Sequence, residues 1–156
     1  MEIVKLDKSF YNDNNNLIEA LDHVQGNWIE NKTRGFGLVI ININNLTFAI
    51  PLRSNIKNKA SFITKKNHIA NSLGKGLDYS KALLITNPSY ILSKEPFLIP
   101  NDEYISITSK ENYIIKSFEK YVSKYISAVK NNNTHILSSK IYRFTTLKNY
   151  HKELGC

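Results

Sequence analysis

Short hydrophobic runs rich in β-branched and aromatic residues recur along the first two thirds of the chain, a pattern typical of β-strands. The two strongest runs are FGLVIINI at residues 36–43 and LTFAIPL at residues 46–52. Between them lies Asn44-Asn45, a pair that tolerates the positive φ angles of a tight hairpin turn. We therefore predict a β-hairpin here. Weaker runs predict further strands at EIVKL, NKASFIT and KALLIT.

Other segments between these runs have different signals. NNNLIEALDHV, residues 14–24, places its apolar residues at helical spacing after possible asparagine caps, so it predicts a short helix. NSLGKGLDYS, residues 71–80, is predicted to be a loop because of its two glycines. The three prolines within residues 87–102 indicate edge strands or extended loops, since proline cannot donate to a central ladder.

The C-terminal third has the hydrophobic spacing of helices. Residues 108–130 predict one long amphipathic helix, and Thr108 with Glu111 has the form of a capping box. Residues 139–155 predict a second helix closed by Gly155, although Thr145-Thr146 weakens its middle. The whole pattern predicts one α+β domain over residues 1–156, with an antiparallel sheet surrounded by helices. The predicted apolar face of the long helix comprises Ile114, Ile115, Phe118, Val122, Tyr125, Ile126 and Val129.

Charge is unevenly distributed along this chain, whose formal net charge is +8. No acidic residue occurs between Glu30 and Asp78, so no carboxylate nearby in the sequence balances the cations of that span. A polyanion is the natural partner of such a surface, and a solvated basic face is the alternative. The basic residues of the span are Lys32, Arg34, Arg53, Lys57, Lys59, Lys65, Lys66 and Lys75.

Several classes of protein are disfavoured by what the sequence lacks. The longest apolar run is far shorter than a membrane-spanning helix, the N-terminal residues lack an apolar export signal, and the one cysteine cannot form an intrachain disulfide. We therefore expect a cytoplasmic protein. The four histidines are dispersed and the carboxylates are few, so we predict neither a metal site nor a cofactor. Walker-type and serine-hydrolase motifs are also missing.

The remaining chemistry lies in residues 53–59, where a serine stands among cations. Attack of an RNA 2′-hydroxyl on its own adjacent phosphate suits this set, because nucleophile and phosphate both belong to the substrate. Arg53 could hold phosphate oxygens with its planar fork, Ser54 could donate a hydrogen bond, and Lys57 or Lys59 could supply charge. The alternative is that Ser54 and Asn55 only shape a turn.

The segment IPLRSNIKNK, residues 50–59, resembles the core motif of the ToxN/AbiQ endoribonuclease toxins of type III toxin–antitoxin systems, notably the TenpN and CptN branches. The similarity extends to residues 34–52, to GLDYSKALLI at residues 76–85, and to the basic helix from Glu111. It implies a MazF/Kid-like, SH3-like fold, in which a strongly bent antiparallel sheet approaches a small barrel and is surrounded by helices. It also implies metal-independent RNA cleavage that leaves a 2′,3′-cyclic phosphate. The implied partner is a repeat-derived RNA pseudoknot that inhibits the enzyme in a closed assembly of two or more protein chains.

Carried over by residue, Ser54 matches the motif serine and Arg53 stands where the family often has threonine. The motif lysine corresponds to Lys57 or Lys59. Trp28 and Lys32 match an aromatic–basic spacing, with Arg34 competing for the second place, and Tyr11 or the neighbouring Phe10 matches an N-terminal tyrosine. Further RNA-binding candidates are Asn55, Phe62, Lys65, Lys66, Lys81, Lys116, Lys120 and Lys124.

Two other functions remain open on the sequence alone. A non-catalytic module for single-stranded RNA would use the same basic surface. A DNA-binding regulator is disfavoured, because no helix-turn-helix pattern is visible. Trp28, Phe62 and the tyrosines of the long helix also suit a hydrophobic core, and His68 suits an ordinary loop as well as proton transfer.

Overall fold

The computed structural model of the protein describes residues 1–25, 27–28, 37–92 and 98–156. The strands are β1 (Ile3–Leu6), β2 (His23–Val24), β3 (Asn27–Trp28), β4 (Leu38–Ile43), β5 (Leu46–Ile56), β6 (Ser61–Lys65), β7 (Gly74–Asp78), β8 (Leu83–Ile85) and β9 (Ile91–Leu92). The helices are α1 (Lys8–Asp13), α2 (Asn101–Ser109), α3 (Glu111–Lys130), α4 (Thr134–Leu137) and α5 (His151–Leu154). Three 3-10 turns lie at Tyr79–Lys81, Pro88–Tyr90 and Thr146–Tyr150.

The predicted hairpin is confirmed, and its second strand is longer than expected. Strands β4 and β5 pair antiparallel around Asn44 and Asn45, whose φ angles are 49° and 65°. Strand β5 continues past Pro51, so residues 53–56 lie within the strand and not in the turn considered as an alternative role for Ser54 and Asn55. Pro51 is the last residue of β5 that lies opposite a residue of β4. On the other edge of β5, β8 pairs with residues 47–49 and β7 pairs from Leu52 onward, so the strand continues past the proline.

The main sheet runs in the order β6-β7-β5-β4-β1-β9, and β8 pairs with the first half of β5. Every pairing among the described residues is antiparallel. The α+β class is thus confirmed. Within the described part of the chain the terminal strands β6 and β9 do not pair with each other, so the sheet does not form a closed barrel.

Strand β7 occupies residues 74–78, where the sequence predicted a loop. Its glycines permit a close approach of β6, because a Cβ atom on Gly76 would overlap the backbone carbonyl oxygen of Phe62. Gly74 and Gly76 also have φ angles of 134° and 153°, which L-residues rarely adopt. The glycines were therefore a sign of tight strand packing, and the loop prediction was wrong.

The helix predicted at residues 14–24 is wrong, because α1 forms earlier in the chain. Asp7 caps α1 by accepting a hydrogen bond from the Ser9 backbone N–H at 2.9 Å. Glu19 and Asp22 have φ angles of 62° and 57°, which are incompatible with a right-handed helix. Leu17 is nevertheless buried, so the apolar pattern of this segment reflects an irregular stretch packed on the core.

Helix α3 is confirmed, but the capping box at its start is wrong. Thr108 lies inside α2, where its Oγ1 donates to the Tyr104 carbonyl at 3.0 Å. Phe118 of α3 packs on the sheet, with its ring centroid 5.2 Å from that of Phe48. Among the described residues, no helix combines the length and the apolarity needed to cross a lipid bilayer.

The second C-terminal helix does not form as one unit. Residues 139–155 instead contain turns, a 3-10 segment and the short helix α5. Thr145 causes part of the interruption. Its backbone is extended, and its side chain caps the 3-10 turn by accepting a hydrogen bond from the Leu147 N–H. Gly155 closes α5 as predicted, with a left-handed φ of 70°.

Candidate functional site

Arg53 is fixed by a buried carboxylate. It pairs with Gly76 across β5 and β7, and Asp78 lies two residues farther along β7 on the same face of the sheet. The Nη1 atom of Arg53 donates to Oδ2 of Asp78 at 2.7 Å. Asp78 is 1% exposed, whereas the Arg53 side chain is 32% exposed. The guanidinium group therefore has one fixed edge and other N–H groups that can reach a ligand.

Asp78 is itself held in place by the turn that follows it. Its Oδ1 atom accepts hydrogen bonds from the backbone N–H and the hydroxyl of Ser80, at 3.1 and 2.6 Å. The span without acidic residues therefore does not leave Arg53 without a carboxylate partner in the fold. Asp78 is distant in sequence and comes into contact because residues 74–78 form a strand. The alternation of GKGLD around its glycines was the one sequence signal that could have suggested this.

A bulge separates Arg53 from the end of β5. The register shifts between Arg53 and Ile56, with one residue more on β5 than on β7. Ser54 lies in this bulge and is exposed, and its carbonyl accepts from the Asn67 side-chain amide at 2.9 Å. Asn55 is half-buried, and its Oδ1 is buried without a hydrogen-bond partner among the described residues. Bulges re-aim side chains, and they are frequent beside functional sites.

Lys57 and Lys59 are exposed on the turn after β5. Asn58, between them, donates from its amide to the carbonyls of Lys140 and Ile141, at 3.4 and 3.0 Å. The turn is thus fixed to the C-terminal segment while both lysine side chains extend into solvent. Within the described part of the chain, neither ammonium group has a hydrogen bond or an ion pair, although the Lys59 carbonyl accepts from the Ser61 N–H at 2.9 Å. The geometry does not distinguish between them as the motif lysine.

Lys81 connects two distant segments. Its Nζ donates to the carbonyl of Glu19 at 2.7 Å and to that of Phe144 at 2.8 Å, and the Glu19 carboxylate lies 3.9 Å away. The side chain is only 15% exposed, and burial lowers the pKa of its amine. Lys81 therefore joins the N-terminal and C-terminal segments, and little of it remains available to an RNA phosphate.

Tyr11 and Trp28 belong to an aromatic cluster. Their ring centroids are 5.0 Å apart in an edge-to-face arrangement, and His23 lies 4.7 Å from Trp28. Tyr11 is buried and burial raises the pKa of its phenol, while Trp28 is half-buried. Lys32 and Arg34, the basic residues predicted to accompany Trp28, lie outside the described residues.

The β6 edge combines basic and acidic groups. Lys65 and Lys66 are exposed, and Lys65 lies 3.6 Å from Asp102 of α2. Phe62 is half-buried, with its ring centroid 6.2 Å from that of Tyr113. His68 is exposed on the loop that follows. This edge is therefore less uniformly basic than the sequence suggested.

Lys116, Lys120 and Lys124 are all exposed on α3. At about 100° per residue they form one stripe, well away from the buried positions such as Phe118 and Val122. The stripe consequently faces away from the sheet. It is a basic surface separate from the Arg53–Asp78 pair.

No group of three His, Cys, Asp or Glu side chains comes together as a metal site in the described residues. Comparisons with protein-family models, with curated proteins and with solved structures find no match to this chain.

Proposed function

We propose that the protein is a metal-independent endoribonuclease. The observation that carries this proposal is Arg53, which is anchored by buried Asp78 and partly open to solvent, beside an exposed serine in a strand bulge. An anchored guanidinium loses little conformational freedom when it binds a phosphate, and it is already aimed before substrate arrives. The basic surface around it matches the charge of RNA.

The proposed reaction is an attack of the 2′-oxygen on the adjacent phosphorus. A bond forms between the 2′-oxygen and phosphorus, the bond to the 5′-oxygen breaks, and a 2′,3′-cyclic phosphate remains. The 2′-hydroxyl loses its proton and the departing 5′-oxygen gains one. Arg53 stabilises the charge that grows on the phosphate oxygens, and Ser54 donates a hydrogen bond to the same group. Lys57 or Lys59 supplies further positive charge and can protonate the leaving oxygen.

The proposal also includes a MazF/Kid-like form of the sheet and a structured RNA as the inhibitory partner. The long strand β5, which changes partner on one edge from β8 to β7 around Pro51, supports a strongly bent, MazF/Kid-like sheet. The stripe of Lys116, Lys120 and Lys124 supports a second contact with a larger, structured RNA. We propose that such an RNA inhibits the enzyme in a closed protein–RNA assembly with more than one protein chain, in the cytoplasm.

A non-catalytic single-stranded RNA-binding module is the second candidate. It is favoured by the exposed lysines at residues 57, 59 and 66, which have no orienting hydrogen bond within the described residues. Solvated lysines can position a phosphate backbone without performing chemistry on it. The two candidates share a ligand and differ only in whether the RNA is cut.

Incubation of the purified protein with RNA in excess chelator tests the proposal. We expect cleavage and cyclic-phosphate ends, and we expect RNA with a 2′-deoxy substitution at the scissile nucleotide to bind uncut. Ser54→Ala should lower the turnover number by about 10²–10³-fold, because one aimed donor is lost. Ser123→Ala, an exposed serine on α3, is the matched control. RNA that is bound but intact would select the binding module instead.

A further inference from the structure

Arg143 and Phe144 form an exposed stacked pair on the segment between α4 and the 3-10 turn Thr146–Tyr150. The Cζ atom of Arg143 lies 4.4 Å from the centre of the Phe144 ring. Phe144 is 48% exposed, and Arg143 is exposed as well. A single surface phenylalanine needs no explanation, but one stacked with an arginine within a basic surface has the composition of a base-stacking platform.

The backbone of this pair is held from several sides. The Phe144 carbonyl accepts from Lys81 Nζ at 2.8 Å, and the Arg143 carbonyl accepts from Lys148 Nζ. The Arg143 N–H donates to the Ser139 carbonyl at 2.9 Å, and Thr145 next to Phe144 is fully buried. The two exposed side chains therefore project from a fixed backbone, which reduces the entropy lost when a ligand binds.

The pair lies beside the candidate phosphate-binding groups. Asn58 binds the carbonyls of Lys140 and Ile141, so the turn that carries Lys57 and Lys59 lies against the start of this segment. On the other side, Lys81 touches Phe144 and is also within electrostatic range of Arg53 and Asp78. Phe144 therefore lies on a segment whose backbone contacts both the β5–β6 turn, through Asn58, and Lys81, which is near the anchored arginine.

We propose that Arg143 and Phe144 form a subsite for one unpaired nucleobase of a single-stranded RNA. This inference rests on RNA being the ligand of the proposed function, and it adds a place where a base next to the bound phosphate is received. The base stacks on the open face of the arginine–phenylalanine pair, since every base has a π-face that suits aromatic and guanidinium planes. Lys57, Lys59 and Lys140 bind the neighbouring phosphates.

Fluorescence anisotropy with a labelled 2′-O-methyl oligonucleotide tests this subsite without depending on cleavage. Phe144→Ala should weaken binding by about 5- to 100-fold, the range expected for one lost stacking contact. The slope of affinity against salt should not change, because no charge is removed. Phe144→Trp should restore the affinity and Phe144→Leu should not. Arg143→Ala should weaken binding and also reduce the salt slope by about one.

The matched control is Tyr104→Ala, which removes an exposed aromatic from α2 beside Asp102 and Glu103 and should leave affinity unchanged. A single abasic position moved along the oligonucleotide should, at one place, abolish the difference between wild type and Phe144→Ala. If wild type binds the probe and Phe144→Ala binds equally well, the subsite is refuted while the proposed function stands. If binding depends on Phe144 but natural RNA is never cut, the subsite stands and only the catalytic proposal fails.

Discussion

At the scale of single residues, the ion pair between Arg53 and Asp78 is the feature that holds one cation of the basic surface in a fixed position. A carboxylate as buried as Asp78 needs several donors, and it receives three: Nη1 of Arg53 and two groups of Ser80. Two of those donors remain when Arg53 is removed, but the counter-ion does not. The Asp78 carboxylate thus orients the Arg53 guanidinium, and Arg53 stabilises the fold by neutralising a buried charge.

Because each residue depends on the other, the free energies of unfolding should be non-additive in a double-mutant cycle. Arg53→Ala should lower the free energy of unfolding by about 1–3 kcal/mol, because it leaves Asp78 charged, buried and without its ion-pair partner. Adding Asp78→Asn should restore part of that loss, since the uncompensated charge disappears. Urea denaturation of wild type, both single variants and the double variant measures the cycle. Strictly additive losses would contradict the coupling.

The same four proteins test whether Asp78 acts on turnover through Arg53. In wild-type background, Asp78→Asn should lower the turnover number on RNA by about 10²-fold, because the guanidinium is no longer held in position. In the Arg53→Ala background it should have no further effect. The rates are compared well below each unfolding midpoint. An equal loss in both backgrounds would show that Asp78 supports the fold alone.

The sequence singled out Arg53 and Ser54 as candidates, but it gave only a weak sign of Asp78. The first two stand in a local motif of serine and cations, and local composition is visible along the chain. The partner depends on the register between β5 and β7, which no local pattern specifies. The bulge at residues 53–56 could not be predicted for the same reason, because a bulge depends on how two strands pair.

At the scale of elements, β7 shows how glycine can signal a strand. The close approach of β6 at Gly76 leaves no room for a side chain. Gly76→Ala should therefore cost about 3 kcal/mol or more of unfolding free energy, by forcing the strands apart and straining the backbone. Gly155→Ala is the matched control, because nothing lies within 4 Å of its Cβ position and only the left-handed φ is penalised, at about 1–2 kcal/mol.

Chemical denaturation of the two glycine variants distinguishes a paired strand from a loop. Equal small losses would contradict the β6–β7 pairing and with it the position of Asp78.

Elements with strong local patterns were the ones that the sequence could predict. The β4–β5 hairpin has two strong apolar runs around an Asn-Asn turn signal, and α3 has a strong helical period. Strand β7, α1 and the interrupted segment at residues 139–155 depend on contacts with distant parts of the chain, which override local propensity.

At the scale of the whole molecule, the cations that the sequence singled out lie on different parts of the fold. One group follows Arg53 on the turn after β5, and another is the stripe on α3. Charge composition could predict a polyanion as partner but not this division, because the orientation of α3 follows from which of its residues pack on the sheet. Lys65 also has an acidic neighbour in Asp102, which sequence distance concealed.

The α3 stripe carries a cost that a bound polyanion would offset. Lys116, Lys120 and Lys124 stand four residues apart, and like charges at this spacing repel each other on a helix. Lys120→Glu replaces both repulsions by attractions, so it should raise the unfolding midpoint slightly. It should nevertheless weaken binding of a long structured RNA and reduce the salt slope of binding by about one or more. A short single-stranded probe, which covers only the Arg53 surface, should be affected far less.

Lys8→Glu, an equal charge change at an exposed position on α1, controls for the long-range effect of net charge. Thermal unfolding and anisotropy titrations at several salt concentrations measure both quantities on the same samples. If the stripe binds RNA, Lys120→Glu should raise the unfolding midpoint and lower the affinity for structured RNA. A Lys120→Glu protein that is more stable and binds structured RNA as Lys8→Glu does would show that the stripe is only a solvated face.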